Sequence, residues 1–275
     1  MFCGASGGNR IPGRHKRAHH GVWRAEPHLP GPQTGRPGGG GTACGHAAWG
    51  VRQGRASRKL LWLGSLADSA KFVVAYPDGV VRTWNGHGCC GQAARENIDD
   101  FGFITAMVGQ VSAALPIDKS RIYATGISNG GIMSYALACH SAGIFAAIGP
   151  DAATQLDACA APHPTSVIHI HGTADRLVPY NLWQGARSVN GPSIADGNAF
   201  WRNVDQCGLP DVTTNAPLTT STAAYAGNRS VVLITIKGGR HEWPGGTTFL
   251  ERGDPTSHAL NATQTIWQFV AAHPA

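Results

Sequence analysis

The sequence predicts an α/β fold, a doubly wound and mostly parallel sheet covered by helices. Three observations carry this. Strand-like and helix-like runs alternate from about residue 63 to the C-terminus, the pattern of a parallel sheet. The strand-like run 121–125 passes straight into Gly126-Ile127-Ser128-Asn129-Gly130 and then into a helical run. Asp175 and His241, residue types suited to chemistry, follow closely on two other strand-like runs, where sites of open α/β sheets lie.

The elements follow in order. Residues 72–76 read as a strand, and 99–115 as a helix with apolar residues at roughly helical spacing. After the turn-like Pro116-Ile117-Asp118-Lys119 come a strand at 121–125 and a helix at 130–140 made of small, close-packing residues. Strands are expected at 144–148 and 167–170, a helix at 195–205 around Phe200-Trp201, a strand at 231–236 and a closing helix at 260–272. The length from residue 61 onward suits one core, so one domain is expected at 61–275. No run is long and apolar enough to span a membrane, and no internal repeat stands out.

A strand, a Gly-x-Ser-x-Gly turn and a helix are how an α/β-hydrolase presents its nucleophile. Ser128 would sit on a sharp turn with its hydroxyl pushed above the sheet, and Gly126 and Gly130 would spare the neighbouring elements a Cβ. Asn129 would offer its backbone N–H to an oxyanion. The competing account is a structural glycine turn with a bystander serine.

In this fold the acid and then the histidine follow the serine along the chain. Asp175, in His171-Gly172-Thr173-Ala174-Asp175 just past the run 166–170, is the best acid; Asp151 is a rival that comes soon after the nucleophile strand. Asp175 could otherwise be a turn or cap residue. Of thirteen histidines, His241 lies in the Gly- and Pro-rich Gly238-Gly239-Arg240-His241-Glu242-Trp243-Pro244, directly after the strand 230–236, and is placed to reach Ser128. His169 and His171 read as structural, and His258 and His273 as surface positions. Neutral His241 would take the Ser128 proton and return it to the leaving alcohol, while Asp175 fixes its tautomer.

These residues resemble a known family. Ala75-Tyr76-Pro77-Asp78-Gly79, Thr83-Trp84-Asn85, Cys89-Cys90-Gly91 and Asn97-Ile98-Asp99-Asp100-Phe101-Gly102 look like the polyhydroxybutyrate depolymerase family, which includes feruloyl and acetylxylan esterase-like members. The Ser128, Asp175 and His241 motifs match it in the same order, over about residues 63–275. The resemblance implies a secreted serine carboxylic-ester hydrolase with those three residues as triad. Its substrates would be polyhydroxyalkanoate-type polyesters or feruloyl and acetyl esters of plant polysaccharide. It suggests that Trp84 and Trp243 border the cleft, with core packing as the alternative. No cofactor, metal, nucleic acid or membrane partner is expected, and a monomer is.

Residues 1–60 do not share the resemblance. They hold ten Lys/Arg against the single acid Glu26, fourteen Gly and five His, whereas the remainder holds twelve Lys/Arg against fifteen acids. The basic balance therefore belongs to this segment alone. Its composition cannot bury much surface and predicts a poorly ordered arm or an aberrant reading of the gene, the latter preferred; a nucleic-acid arm is less favoured for want of aromatics or a binding module. No secretory apolar region is visible in it. No strand ending in a His-Gly type loop is recognisable there, and Gly38-Gly39-Gly40-Gly41-Thr42 is its one Gly-rich candidate for the second oxyanion donor. The sheet is therefore expected to lack its normal N-terminal strands, and a non-catalytic relic of the fold is the alternative function. Cys89, Cys90, Cys139, Cys159 and Cys207 in the remainder suggest two disulfides and one free thiol: Cys139 with Cys89 or Cys90, and Cys159 with Cys207. No Cys or His spacing suggests zinc.

Overall fold

The computed structural model describes residues 63–141, 143–181, 189, 191–225, 227–246 and 256–275. The expectations about residues 1–60, including the oxyanion candidate at 38–42, lie outside the described residues. Six strands form one sheet: Tyr123–Ile127 (β1), Ala147–Asp151 (β2), Ser166–Gly172 (β3), Asp211–Asn215 (β4), Leu218–Tyr225 (β5) and Arg229–Ile236 (β6). Their order is β1-β2-β3-β6-β5-β4. β1, β2, β3 and β6 run parallel, and β5 and β4 add an antiparallel ribbon. The helices are Leu63–Ala70 (α1), Gly91–Arg95 (α2), Asp100–Ala114 (α3), Asn129–His140 (α4), Ile194–Val204 (α5) and Ala262–Ala272 (α6).

The parallel strands are buried on both faces and are largely apolar, broken in β3 by His169 and His171. Successive residues nevertheless point to opposite sides. Tyr123, Ile127, Ala147, Ile168, Ile170, Val232 and Ile234 pack with Leu63 and Ala67 of α1 and Ile266 and Val270 of α6. Ala124, Ile148, Val167 and Val231 pack with Ile104, Met107 and Val111 of α3, Met133 and Leu137 of α4 and Trp201 of α5. Two cores separated by one sheet are what a doubly wound fold requires.

Local chemistry sets the helix starts. Asp99 caps α3 by accepting the Gly102 N–H at 2.8 Å, Ser193 caps α5 through Asp196 N–H, and Asn261 caps α6 through Gln264 N–H. Each gives a helix N–H an acceptor that the helix itself lacks.

Three expectations change. The strand at 72–76 is extended chain with a single bridge residue, Ala75. Its side chains still alternate, Phe72, Val74 and Tyr76 joining one core and Val73 and Ala75 the other, so it packs like a strand without a regular ladder. The strand expected at 144–148 lies at 147–151, where it pairs with β1. The β4–β5 hairpin has no counterpart in the sequence reading. β4 is exposed throughout and β5 largely polar, so neither shows the hydrophobic alternation that marks a half-buried strand.

Candidate active site

β1 delivers Ser128 at the carboxyl edge of the parallel sheet. Ser128 has φ 58° and ψ −127°, a conformation an L-residue holds only when its surroundings impose it. They do so on both sides: its N–H donates to Asp151 O at 3.0 Å, and its carbonyl accepts Ile132 N–H at 3.0 Å. Gly131, one residue beyond the Gly-x-Ser-x-Gly pattern, is also tightly packed. A Cβ on Gly131 would lie 2.5 Å from Ala153 Cβ and 3.0 Å from Gly126 O, so only glycine lets α4 start this close to the sheet.

Asn129 is the first residue of α4, and its N–H is among those a helix leaves unsatisfied at its positive end. Its side chain is committed elsewhere. Oδ1 accepts Trp84 N–H at 2.8 Å, and Nδ2 donates to Trp84 O at 3.0 Å and Cys89 O at 3.2 Å. The carboxamide thus fastens the 84–89 turn over the serine, and the backbone N–H is what remains for an oxyanion.

Asp175 and His241 come from the loops after β3 and β6, adjacent parallel strands. The loops interlock: Ala174 N–H donates to Gly239 O at 2.8 Å, and Gly238 N–H to Thr173 Oγ1 at 2.9 Å. A Cβ on Gly172 would lie 2.2 Å from the Gly239 carbonyl, so this contact also demands glycine. Asp175 Oδ1 accepts the N–H groups of Leu177 and Val178 at 2.8 and 2.9 Å. Its Oδ2 lies 2.8 Å from His241 Nδ1. Burial works to raise the Asp175 pKa, but the hydrogen bonds and charges of His171 and His241 outweigh it and hold the carboxyl well below its usual range. An ionised Asp175 makes Nδ1 the protonated nitrogen of His241 and leaves Nε2 with a lone pair.

A buried polar chain lies behind Asp175. His171 Nε2 is 2.8 Å from Val178 O and 3.4 Å from Asp175 Oδ2. His171 Nδ1 is 3.0 Å from His169 Nε2, and His169 Nδ1 is 2.8 Å from Tyr135 Oη. A carbonyl only accepts, so His171 carries its proton on Nε2 and accepts at Nδ1. His169 therefore donates from Nε2 and accepts the Tyr135 O–H at Nδ1. Every proton in the chain is placed by its neighbour. Burial, and then His171, depress the His169 pKa well below its usual value, so the ring is neutral. The signal for this pair was in the sequence: two histidines at i and i+2 of one strand share a face.

Asp151, the rival acid, ends β2 and is buried. Burial first, then the charges of Asp175 and Glu242, raise its pKa well above the usual value. It acts on Ser128 through its carbonyl, and Asp175 is the acid paired with His241. His258 is exposed, and His273 caps the end of α6 through Phe269 O.

The tryptophans expected at the cleft are core residues. Trp84 is 2 % exposed and Trp243 0 %. Trp84 stacks on Phe103, and the Trp243 indole N–H donates to Thr263 Oγ1 at 2.9 Å. An aromatic with its polar atom satisfied inside gains more from burial than from a wet cleft wall. The cleft at Ser128 has a volume of about 460 Å³. Its walls are the 88–91 turn, Ala94, Arg95, Leu177, Val178 and Val189. Arg95 and Leu177 are residues the sequence reading did not single out.

The cysteine pairing is also corrected. Cys139 pairs with Cys159, Cys89 with its neighbour Cys90, and Cys207 is a free thiol. Cys139 lies in the last turn of α4 and Cys159 in the loop after β2, with Cα atoms 5.3 Å apart. Cys207 follows α5 and packs at the edge of the core beneath it.

A mostly parallel sheet with helices on both faces, with a strained serine at the turn from strand to helix and an Asp–His pair on neighbouring loops, has the architecture of the α/β-hydrolase fold. An acetyl xylan esterase from Aspergillus awamori shares the fold, with a TM-score of 0.58 over 83 % of this chain and 88 % of that one at 12 % identity. Among proteins of known name, the chain is 30 % identical over 207 residues to the putative esterase NocK of Nocardia uniformis subsp. tsuyamanensis, covering 67 % of this chain and 60 % of that protein. It is 30 % identical over 184 residues to feruloyl esterase B of Piromyces equi, covering 62 % of this chain and 33 % of that protein. The chain thus spans less than two thirds of the length of either relative. No protein-family model matches it.

Proposed function

We propose that the chain is a serine carboxylic-ester hydrolase in which Ser128 is the nucleophile, His241 the base and Asp175 its orienting acid. The observation that carries this is the 2.8 Å contact between His241 Nδ1 and an ionised Asp175, on the same sheet edge as a serine held in a strained turn. His241 Nε2 takes the hydroxyl proton as Ser128 Oγ attacks the ester carbonyl. The tetrahedral oxyanion collapses, the alcohol leaves with the proton from Nε2, and the acyl group stays on Ser128. Water, deprotonated by His241, then releases the acid. The Asn129 N–H and the positive end of α4 stabilise the oxyanion.

Esters of plant polysaccharide are the substrate class the relatives favour, since they carry the names feruloyl esterase and acetylxylan esterase. The apolar Leu177, Val178 and Val189 suit an aromatic or short acyl group. The protein acts in an oxidising compartment, outside the cell or in a periplasm, a reading supported by the disulfide Cys139–Cys159.

Stopped-flow release of nitrophenol from a short-chain nitrophenyl ester tests the activity. A burst equal to the enzyme concentration, absent in Ser128→Ala, is expected. Folded protein with no burst and no turnover would leave the chain a non-catalytic relative. Methyl ferulate, acetylated xylan and a hydroxybutyrate oligomer, compared by kcat/KM, then separate the substrate classes.

A further inference from the structure

We propose that His87, His140 and Asp157 form a binding site for a divalent transition-metal ion, placed beside the cleft and independent of its chemistry. The three side chains come from three separate segments. His87 lies in the turn that leads into the cleft wall at Gly88 to Gly91, His140 is the last residue of α4, and Asp157 lies in the loop after β2. One ligand atom from each falls within 4.8 Å of the others. His87 Nε2 lies 3.3 Å from Asp157 Oδ2, and His140 Nε2 approaches the same oxygen in direct contact. A tetrahedral ion with bonds of about 2.0–2.1 Å spaces its ligand atoms roughly 3.3 Å apart. The His87–Asp157 pair already stands at that spacing and all three ligand atoms lie within 4.8 Å of one another, so a small outward shift of the His140 ring lets them share one ion.

The frame around the trio is fixed. The other carboxylate oxygen, Asp157 Oδ1, accepts the Cys159 N–H at 3.1 Å, and Asp157 O accepts Gln155 Nε2–H at 2.8 Å. These bonds orient the carboxylate as outer partners orient a metal ligand. The Cys139–Cys159 disulfide joins the residue before His140 to the loop that carries Asp157. The two imidazoles stack at 4.5 Å, and Phe101 lies near both rings, 5.7 Å from His87 and 5.3 Å from His140.

The ligand set selects the ion. Two imidazoles and one carboxylate suit zinc, nickel or copper, whereas calcium and magnesium take oxygen ligands. The side chains are partly exposed, and a cavity of about 400 Å³ opens beside His87, lined also by Asn85, Asp99 and Phe101. Water completes the coordination from there. A bound ion would tie the 85–90 turn, which forms one wall of the cleft, to the end of α4.

The test is titration of the untagged, chelator-treated full chain with zinc chloride, followed by calorimetry and thermal unfolding. His87→Ala/His140→Ala is compared with the wild type, since the five histidines of residues 1–60 are common to both. The wild type should bind one more zinc equivalent than the variant, and the zinc-dependent rise in Tm should be lost in it. Calcium chloride should produce neither effect. Should the double variant be poorly folded by near-ultraviolet circular dichroism, His87→Gln, at an exposed position, replaces it with the same expected loss. Equal zinc stoichiometry and equal Tm shifts in wild type and variant, or equal binding of calcium, would overturn the site.

Discussion

Replacing Asp175 with Asn tests the acid–base half of the site at a single atom. Asp175 Oδ1 accepts two backbone N–H groups, from Leu177 and Val178. An amide can satisfy both only by placing its oxygen there, which turns its NH₂ toward His241. His241 Nδ1, 2.8 Å from that position, must then accept, so the ring proton moves to Nε2. A protonated Nε2 cannot take a proton from Ser128. The same NH₂ also faces His171 Nε2–H, which adds a donor–donor clash. A wrong tautomer of this kind costs about 10⁴-fold in kcat, or about 5.5 kcal/mol of barrier. Steady-state hydrolysis of nitrophenyl acetate reads kcat and KM, and near-ultraviolet circular dichroism checks that the two loops remain packed. A variant that stays folded and keeps kcat within tenfold of the wild type would refute the reasoning, as would a change confined to KM.

Three further outcomes are expected. Tyr135→Phe removes the donor to His169 Nδ1 and leaves a buried ring nitrogen without a partner, costing about 1–3 kcal/mol; urea unfolding checks it, and an unchanged midpoint would mean the buried chain is not held by this bond. Asp205 is buried, and that burial raises its pKa to about 7 against the Thr165 N–H and Arg229. A carboxyl with a raised folded pKa binds a proton that the unfolded chain has lost, so stability falls as pH rises from the usual 3.8 towards 7. Asp205→Asn should lack that slope when unfolding is compared across the window, and parallel curves would count against it. Cys139→Ser with Cys159→Ser opens a crosslink spanning 20 residues and should cost about 3 kcal/mol in guanidinium unfolding, with an unchanged midpoint as the contrary result.

Much of the fold was legible because its signals are local. β1, β3 and β6 carry short, buried, largely apolar runs, and α3 starts at its capping Asp99 and keeps the expected apolar spacing. The β4–β5 hairpin escaped because exposed strands carry no hydrophobic period, and the segment 72–76 misled because its alternation reports packing on two cores, not a ladder.

The sequence by itself determined the order of the candidate residues: a serine at a turn from strand to helix, then an acid, then a histidine, each following a strand. Those features rest on residue type and on neighbours a few positions away, which fix backbone conformation directly. Only the tertiary structure decided what each side chain touches. Asp175 meets His241 across 66 residues, and Asn129 meets Trp84 across 45. The cysteines pair in a way that composition could not rank, and two tryptophans sit in the core. Close packing chooses such partners, since a buried polar atom or ring settles wherever the assembled elements leave it a matching neighbour.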